Sequence, residues 1–303
     1  MSARFWAITG APRYDTAVAR RRRPRSPSAL VVVLLGVAVF VLVFRGFTSR
    51  AEPLGGSSAL ASSPHVTLGI PIDADPHDDI LLDEREYVVS YNPEKLAANW
   101  CAWRLDRSYL GHVQRRDDFR IDDSLPFGVY RVTPHDYLHS GYDRGHLCPS
   151  ADREASTDMN SSTFLMTNVV PQRHELNAGP WEKLEEHERR IALDPDAEVE
   201  LLAGPIFDAD PPKMRHGIAV PRATWKIIAV LRSAQTAADV TNATQVIAVI
   251  MPNEPDVARH DWSEYVTSVD EIEKQTGYDF LPSVPDAVED AIEARTRGRA
   301  ETR

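Results

Sequence analysis

The hydrophobic pattern divides the chain into one long apolar run and a series of short ones. Residues 29–44 are apolar without interruption, and with the uncharged residues 26–28 they give 19 positions free of charge. At a rise of about 1.5 Å per residue, such a helix matches the roughly 30 Å hydrocarbon core of a bilayer. The pattern predicts a transmembrane anchor over residues 29–47. A cleaved signal peptide and a mitochondrial presequence stay open as alternatives.

Short apolar segments later in the chain predict a folded domain over residues 83–285. Residues 48–82 are rich in Ser, Pro, Gly, Ala and Asp and are predicted to be a flexible linker. Residues 286–303 are predicted to form a C-terminal helix and a polar tail. The patterns predict strands over 87–91, 100–105, 163–170, 198–207, 223–231 and 244–251, and helices over 179–193, 269–276 and 285–295. Because the elements follow no repeating βαβ unit, the predicted class is α+β.

Charge is distributed unevenly along the chain, whose formal net charge is −11. Residues 1–50 carry nine Arg and one Asp, a net charge of +8, so the remaining residues carry −19. The Arg-rich residues 1–28 are predicted to be cytoplasmic and the folded domain extracytoplasmic, in a single-pass membrane protein; secretion and a mitochondrial location are the alternatives. An acidic body disfavours binding a polyanion by bulk electrostatics, so a nucleic-acid site requires a local arginine cluster helped by a divalent cation.

Two residue types add little to the prediction of function. Cys101 and Cys148 form neither a disulfide framework nor a zinc ligand set, and a disulfide and two separate buried thiols both stay open. Four histidines belong to no motif and are interpreted as surface or turn residues: His135, His139, His174 and His187.

The densest group of reactive side chains is Asp143-Arg144-Gly145-His146. Alternate residues of a strand face opposite sides, so Arg144 and His146 are predicted to share one face and Asp143 to take the other. Gly145 lets another group approach the backbone closely. An imidazole beside a guanidinium suits a site in which one activates a nucleophile and the other binds an anion. Taken alone, the motif is more typical of a turn histidine beside a surface arginine.

A second group of polar residues lies on and just before the predicted helix over 179–193. Glu185 and Arg189 are four residues apart and share one helix face, and Asn177 precedes the helix. A capped helix with an exposed ion pair would have the same sequence. Together with the first group, however, these residues supply the oxygen ligands that Mg²⁺ prefers, and no His-x-His or Cys-x-x-Cys pair competes as a zinc site.

The ordered motifs resemble those of the DNA/RNA non-specific endonucleases, the sugar-non-specific nucleases of the ββα-metal or His-Me finger group. The resemblance rests on Asp143–His146, Asn168-x-x-Pro-Gln-x-x-x-x-Asn177 and Trp181-x-x-Leu-Glu185. The segments 99–103, 117–120, 164–168, 220–226 and 276–280 are similar to the secreted bacterial branch. The resemblance implies a ββα-metal domain with a central, mostly antiparallel sheet, here preceded by one N-terminal transmembrane helix.

The resemblance also implies which residues carry out the chemistry. His146 is expected to be the general base that deprotonates water. Asn177 is expected to be the single protein ligand of Mg²⁺, with Mn²⁺ as the alternative metal, and Glu185 is expected to act on the metal through water.

Further residues are expected to bind the substrate or to shape the site. Arg144, Arg189 and Arg115 are the expected phosphate contacts, and Arg116 is the neighbouring alternative to Arg115. Asn168 is expected to set the geometry of the site and to bind substrate. Asp143 is expected to hold the loop.

The implied activity is hydrolysis of phosphodiester bonds in DNA and RNA to give 5′-phosphate ends, without regard to sequence or sugar, since phosphate contacts carry little sequence information. Because His146 has to be neutral, activity is expected to fall below about pH 6. The expected partners are DNA, RNA and, through residues 29–47, a membrane; a proteinaceous inhibitor is left open. The alternatives are a narrower phosphodiesterase and an inactive membrane-tethered nucleic-acid receptor. Nucleic-acid scavenging and DNA uptake are the biological uses considered.

Overall fold

The computed structural model describes residues 60–75 and 77–296. The chain divides into two compact units, Met1–Glu52 and Pro53–Arg303, and the described residues all belong to the second. The predicted membrane segment 29–47 therefore lies outside the described residues. Within the described ranges, no helix is both long and apolar enough to cross a membrane.

Nine strands and five short helices make up the regular structure of the described residues. The strands are β1 (Ile80–Asp83), β2 (Val88–Asn92), β3 (Ala97–Leu105), β4 (Asp143–His146), β5 (Val169–Gln172), β6 (Ala197–Ile206), β7 (Ala223–Arg232), β8 (Gln245–Pro252) and β9 (Val266–Thr267). The helices are α1 (Thr157–Ser162), α2 (His174–Leu176), α3 (Glu182–Ala192), α4 (Val269–Thr276) and α5 (Asp286–Glu293).

A seven-stranded antiparallel sheet forms the centre of the second unit, with the strand order β1-β2-β3-β6-β7-β8-β9. Successive side chains of a strand point to opposite faces of the sheet. The long strands are buried on both faces because a hydrophobic core covers each face. In β3, Cys101 and Trp103 pack into one core, whereas Trp100 and Ala102 pack into the other. This arrangement confirms the predicted α+β class with a mostly antiparallel sheet.

The two cores serve different parts of the molecule. One core joins the central sheet to a separate layer built from the two-stranded sheet β4-β5 and helix α3. The other core packs α4, α5 and the first described residues against the opposite face of the sheet. The strand–strand–helix unit β4-β5-α3 carries the two motifs singled out in the sequence, so the first core positions the candidate site.

The prediction of a flexible linker over residues 48–82 is wrong for its described part. Leu60, Val66 and Leu68 are buried in the second core, and Ile72 pairs with Asp279 through two backbone hydrogen bonds. The isolated apolar positions of this segment are too sparse to show a strand or helix period, yet they cover the sheet from outside. Helix α5 also packs into this core through Ile292, so the folded body extends beyond residue 285.

Two element boundaries near the candidate site differ from the predictions. The strand predicted over 163–170 forms only as β5, because a 3₁₀ turn occupies Met166–Asn168. The helix predicted over 179–193 begins as α3 at Glu182, after a π-type turn over Asn177–Trp181. Gly179 has non-helical dihedral angles in this turn, and Pro180 lacks the backbone N–H that a regular helix would use.

Candidate active site

Strand β4 holds the Asp-Arg-Gly-His motif, Asp143–His146, and pairs with β5. This pairing fixes the backbone of the site. Gly145 lies opposite Val170, and His146 lies opposite Val169. A Cβ atom on Gly145 would come within 2.1 Å of the side-chain oxygen of Gln172, which stands over it. The predicted close approach at Gly145 is therefore made by Gln172, and a larger residue would push the two strands apart.

Asn168 fastens the segment that follows His146. Its Oδ1 accepts the backbone N–H of Cys148 at 2.9 Å, and its Nδ2 donates to the carbonyls of Cys148 (2.8 Å) and Thr163 (2.9 Å). Asn168 is fully buried. These contacts support the expected role of Asn168 in setting the geometry of the site. They leave its amide no free group for substrate, so the prediction that Asn168 binds substrate gains no support from the structure.

The two cysteines lie behind this segment as free thiols. Cys101 and Cys148 are both completely buried, and Cys101 Sγ approaches Asn168 Oδ1 at 3.6 Å. Burial raises the pKa of the Cys148 thiol to about 12. The alternative of two packed thiols, rather than a disulfide, is the one that the structure contains.

Two phenylalanines hold three of the predicted site residues together. The His146 ring contacts Phe119 (5.2 Å between ring centroids) and meets Phe164 edge-to-face (5.0 Å). The guanidinium of Arg144 lies 4.2 Å from the centre of the Phe119 ring, and that of Arg115 lies 4.9 Å from the centre of the Phe164 ring. Arg144 and His146 thus share a contact with Phe119, as their predicted common strand face requires.

The surroundings of His146 keep its imidazole neutral. The side chain is 7% exposed, and its Nε2 is enclosed without a hydrogen-bond partner. Burial, with smaller contributions from Arg115 and Arg144, lowers the pKa of His146 to about 3. The predicted loss of activity below about pH 6 assumed that His146 has the usual imidazole pKa of about 6.5. With a pKa of about 3, protonation of His146 in the free protein does not produce such a loss.

A cleft of about 250 Å³ opens beside these residues. Its lining includes Arg115, Phe119, Asp143, Arg144 and Asn177. Arg115 also donates from Nη1 to Ser150 Oγ at 2.8 Å, which holds its guanidinium at the cleft, whereas Arg116 is not among the lining residues described. The position of Arg115 in the cleft lining favours Arg115 over Arg116 as the phosphate contact, which stays a prediction.

Asp143 connects the start of β4 to the turn before α3. Its Oδ2 accepts from Asn177 Nδ2 at 3.1 Å and from His174 Nδ1 at 2.8 Å. The Asp143 contact raises the pKa of His174 above its usual value. Because the amide nitrogen of Asn177 is held by Asp143, its Oδ1 is turned to the other side. Asp143 was expected to hold the loop, but its hydrogen bonds to Asn177 and His174 were not predicted. His174 was interpreted as a surface or turn residue.

Glu185 and Arg189 form the predicted pair on one face of α3, and Arg189 also pairs with the buried Asp152. Arg189 Nη1 lies 4.0 Å from Glu185 Oε2 and 3.1 Å from Oδ1 of the fully buried Asp152. Asp152 also accepts from Trp103 Nε1 at 2.9 Å. The structure thus places Arg189 beside two carboxylates, outside the described lining of the cleft. The phosphate contact of Arg189 stays a prediction.

A second ion pair lies deeper on the same helix face. Lys226 Nζ is 3.0 Å from Glu188 Oε1, and both side chains are fully buried. The ammonium lies between the rings of Trp103 (5.2 Å) and Trp181 (4.5 Å). Burial raises the pKa of the neighbouring Glu185 to about 7, although the charges of Lys226 and Arg189 oppose that rise. The sequence analysis assigned no role to Lys226, Glu188 or Asp152. Lys226 could have been noticed as a charged residue within the apolar strand β7.

The donor atoms of this region fit a hard divalent cation. Asn177 offers an amide oxygen, and the carboxylate of Glu185 has only the more distant Arg189 as an ion-pair partner among the described residues. Mg²⁺ takes oxygen ligands and needs few of them from the protein. The assignment of Asn177 as the metal ligand and of Glu185 as its helper acid stays a prediction.

Comparison with known proteins places the chain among nucleases. The sequence model of the DNA/RNA non-specific endonuclease family matches residues 65–287. A nuclease of Nostoc sp. is 42% identical over 269 residues, which cover 86% of this chain and 97% of the relative. Human mitochondrial endonuclease G is 30% identical over 217 residues, or 67% of this chain and 70% of the relative. The nuclease of Serratia marcescens is 26% identical over 247 residues, or 79% and 88%.

A solved structure has the same fold. One chain of the crystal structure of the EndoG/EndoGI complex, a study of EndoG inhibition, superposes with a TM-score of 0.64 at 22% identity. The match covers 77% of this chain and 96% of that chain. The match to the family model begins at residue 65, within the segment that the structure shows packed on the sheet.

Proposed function

The chain belongs to the DNA/RNA non-specific endonuclease family, and on that basis we propose that it hydrolyses phosphodiester bonds of DNA and RNA without regard to sequence or sugar. The observation that carries the proposal is the convergence of His146, Arg144 and Arg115 on one pair of phenylalanines beside a cleft that Asn177 also lines. A base, two cations and an amide oxygen then face one bound phosphate.

The two arginines bind and stabilise the phosphate in this proposal. Hydrolysis adds negative charge to the oxygens around phosphorus, and guanidinium groups already held in place stabilise that charge without reorganising. Arg144 is held by Phe119 and Arg115 by Ser150 and Phe164. Since both contacts are made to the phosphate, bases and sugars are not distinguished.

His146 takes a proton from the attacking water. Its Nε2 is enclosed, so Nδ1 is the nitrogen that accepts the proton. A group with a pKa of about 3 is a weak base, but two of the causes of that low value are the charges of Arg115 and Arg144. A bound phosphate offsets both charges and raises the pKa of His146, so the base gains strength when substrate is present.

Nucleases of this family depend on a metal ion, and we infer that this chain uses Mg²⁺, with Mn²⁺ as the alternative. Asn177 Oδ1 would bind the ion directly, and Glu185 would hold it through water. When bound, the ion supplies positive charge that opposes the charge growing on the phosphate and the leaving oxygen. Asp143 keeps the amide of Asn177 turned so that its oxygen, and not its nitrogen, is presented.

The sequence of residues 29–47 supports a further proposal about location. An uninterrupted apolar run after an arginine-rich segment favours a single-pass anchor that holds the nuclease on the extracytoplasmic side. Alkaline carbonate extraction of the expressed full chain tests the anchor, since an anchored protein stays in the membrane pellet. A protein inhibitor is an expected partner only by likeness to the EndoG structure.

Degradation of plasmid DNA and of RNA by the purified chain tests the proposed function. Cleavage of both is expected with Mg²⁺, with products that carry 5′-phosphates, and chelator should abolish it. His146→Ala should reduce the rate at least about a hundredfold, whereas His135→Ala, an exposed histidine outside the site, should not. A wild-type chain that binds DNA but cleaves neither substrate with Mg²⁺ or Mn²⁺ would support the inactive receptor instead.

A further inference from the structure

Several exposed apolar side chains belong to the segment of the chain that leads into the cleft. Among the described residues, the large hydrophobic side chains that remain exposed include four from one segment, residues 121–138. These four, which we call the apolar rim, are Ile121 (37% exposed), Phe127 (104%), Tyr130 (38%) and Leu138 (50%). Only Ile72 and Leu193 join them elsewhere in the described residues. Exposed apolar side chains that come from one segment are candidates for a binding surface.

The apolar rim reaches the cleft at Leu138. Leu138 lines the cleft together with Arg115 and Arg144. Tyr130 is tied to the same wall, because its hydroxyl donates to Asp136 Oδ2 at 3.2 Å and Asp136 belongs to the 3₁₀ turn Pro134–Tyr137 that precedes Leu138. Phe127 lies three residues before Tyr130, within about 11 Å along even a fully extended chain. Leu138 is therefore the member of the rim that lines the cleft with the phosphate contacts, and Phe127 and Tyr130 precede it in the same segment.

The chain holds the rim in place although its side chains are exposed. Leu125 and Val129 pack into the core below the cleft, on either side of Phe127. Arg131 Nη2 donates to the carbonyl of Leu125 at 2.5 Å, which closes the loop. The Tyr130 ring is stacked on the ring of His216, with centroids 5.2 Å apart and planes at 21°. These anchors mean that the rim is a built surface whose apolar groups face solvent in the folded protein.

The chemistry of this surface identifies its ligand. A ligand that lies on it has to offer an anion to Arg115 and Arg144 and, next to that anion, a flat apolar face to Leu138 and the aromatic rings. A nucleotide has both parts, and aromatic rings beside a cationic groove bind the bases of unpaired strands by stacking. In a duplex the faces of the bases are covered by their neighbours, so only an unstacked strand can use the rim.

We propose that the apolar rim binds unstacked nucleobases next to the cleaved phosphate and so favours single-stranded DNA and RNA as substrates. The proposal rests on the proposed nuclease function and adds a substrate preference to it. The phosphate contacts serve every substrate alike, whereas the rim adds affinity for the strands whose bases can reach it.

Steady-state cleavage by the full chain with Mg²⁺ tests the proposal. The substrates are a single-stranded oligothymidylate of about 16 nucleotides, its duplex with oligodeoxyadenylate, and the same single strand with abasic positions. Phe127→Ala, alone and together with Leu138→Ala, should raise KM for the single strand at least about fivefold. Phe127 is outside the lining of the cleft, so Phe127→Ala by itself should change KM for the duplex less than twofold, with kcat retained. Ile72→Ala removes an equally exposed side chain elsewhere and is the matched control.

The abasic strand separates base contacts from other effects of the substitutions. For the wild-type chain, KM for the abasic strand should exceed KM for the intact strand by about the same factor that the double variant shows, and the double variant should not distinguish the two strands. Thermal melting checks the fold of each variant; Phe127 is fully exposed, so its removal should leave the melting temperature unchanged.

The outcomes separate the rim from the nuclease function. If the wild-type chain cleaves all substrates and both variants keep their KM values, the rim proposal falls and the nuclease function stands. Equal increases in KM for single strand and duplex also overturn the rim proposal. Loss of binding to anionic vesicles without any change in KM would assign the rim to a membrane and would exclude the proposed role. A wild-type chain without activity overturns the proposed function itself.

Discussion

Asn177 donates from Nδ2 to Asp143 Oδ2 at 3.1 Å, across the gap between the start of β4 and the turn before α3. The contact turns the amide of Asn177 so that its oxygen remains available. Two residues that are 34 positions apart in the chain thus act as one unit, and the first residue of the Asp-Arg-Gly-His motif serves the predicted metal ligand of the second motif.

Asp143→Asn should weaken the binding of Mg²⁺ more than it weakens the binding of substrate. An asparagine at this position can offer its own amide nitrogen to Asn177, so the orientation of the ligand amide is no longer fixed. Loss of such a supporting contact typically costs about 10–100-fold in metal affinity or activity. We expect the Mg²⁺ concentration for half-maximal activity to rise by about that factor.

The matched control for this substitution is Asp123→Asn, whose carboxylate is 89% exposed and only 3.9 Å from Arg131. It removes the same charge from the chain without touching Asn177. If both variants shift the Mg²⁺ dependence equally, the effect is one of net charge and the orienting role of Asp143 is wrong.

His146 should not titrate between pH 5 and pH 8 in the free protein. Its folded pKa is lowered to about 3, so the imidazole is neutral throughout that range. His174, whose pKa is raised by Asp143, should titrate above the ordinary imidazole value of about 6.5. Nuclear magnetic resonance of histidine-labelled protein follows both rings in one experiment.

Addition of an uncleavable phosphodiester analogue should then raise the pKa of His146, since the phosphate offsets the charges of Arg115 and Arg144. The His174 titration serves as the internal reference. A His146 signal that titrates near pH 6.5 without ligand would contradict the buried environment described here.

Asn168→Ala should destabilise the fold without weakening substrate binding. The substitution leaves the backbone groups of Cys148 and Thr163 without their partner in a fully buried place. Three backbone groups lose their partner at a cost of about 1–3 kcal/mol each, and we expect the free energy of unfolding to fall by at least about 3 kcal/mol in urea denaturation.

Asn242→Ala, at an exposed turn, is the control for this loss of an amide. For the fraction of Asn168→Ala that remains folded, KM should stay within about twofold of the wild-type value. A normal stability together with a large rise in KM would support the assignment of Asn168 as a substrate contact.

Glu293→Gln should stabilise the protein at alkaline pH. Glu293 is 6% exposed, and its carboxylate lies among those of Asp270 and Glu273. Burial, and then the charges of Glu273 and Glu289, raise its pKa to about 9. For an acid whose folded pKa is raised, the contribution to stability is complete below the unfolded pKa of about 4.5 and is lost as the pH rises toward 9.

The neutral glutamine avoids that loss, so the melting temperature of the variant should exceed that of the wild type at pH 8–9 and match it at pH 4–5. Glu186→Gln, on the exposed side of α3, removes a carboxylate without this burial and should show no such dependence on pH. Identical pH profiles for the two variants would contradict the raised pKa.

Local patterns predicted the parts of the fold that depend on neighbours in sequence. Helix α4 has the predicted bounds, and β2, β3, β6, β7 and β8 lie within two or three residues of theirs. The pairing of Glu185 with Arg189 followed from helix geometry, and the resemblance identified the family. The turn at Met166–Asn168 was missed because the amide of Asn168 is held by distant backbone groups.

What the sequence by itself determined, then, is the α+β class, the family and most of the strands, and it predicted the residues that carry the chemistry. Only the tertiary structure decided the surroundings of these residues: Phe119 and Phe164 pack against His146, and Asp143 orients the amide of Asn177. It also decided that residues 60–72 cover the sheet. The physical reason is that periodicity is a property of adjacent residues. The burial of a charge, and so its pKa, depends on which remote segments meet around it.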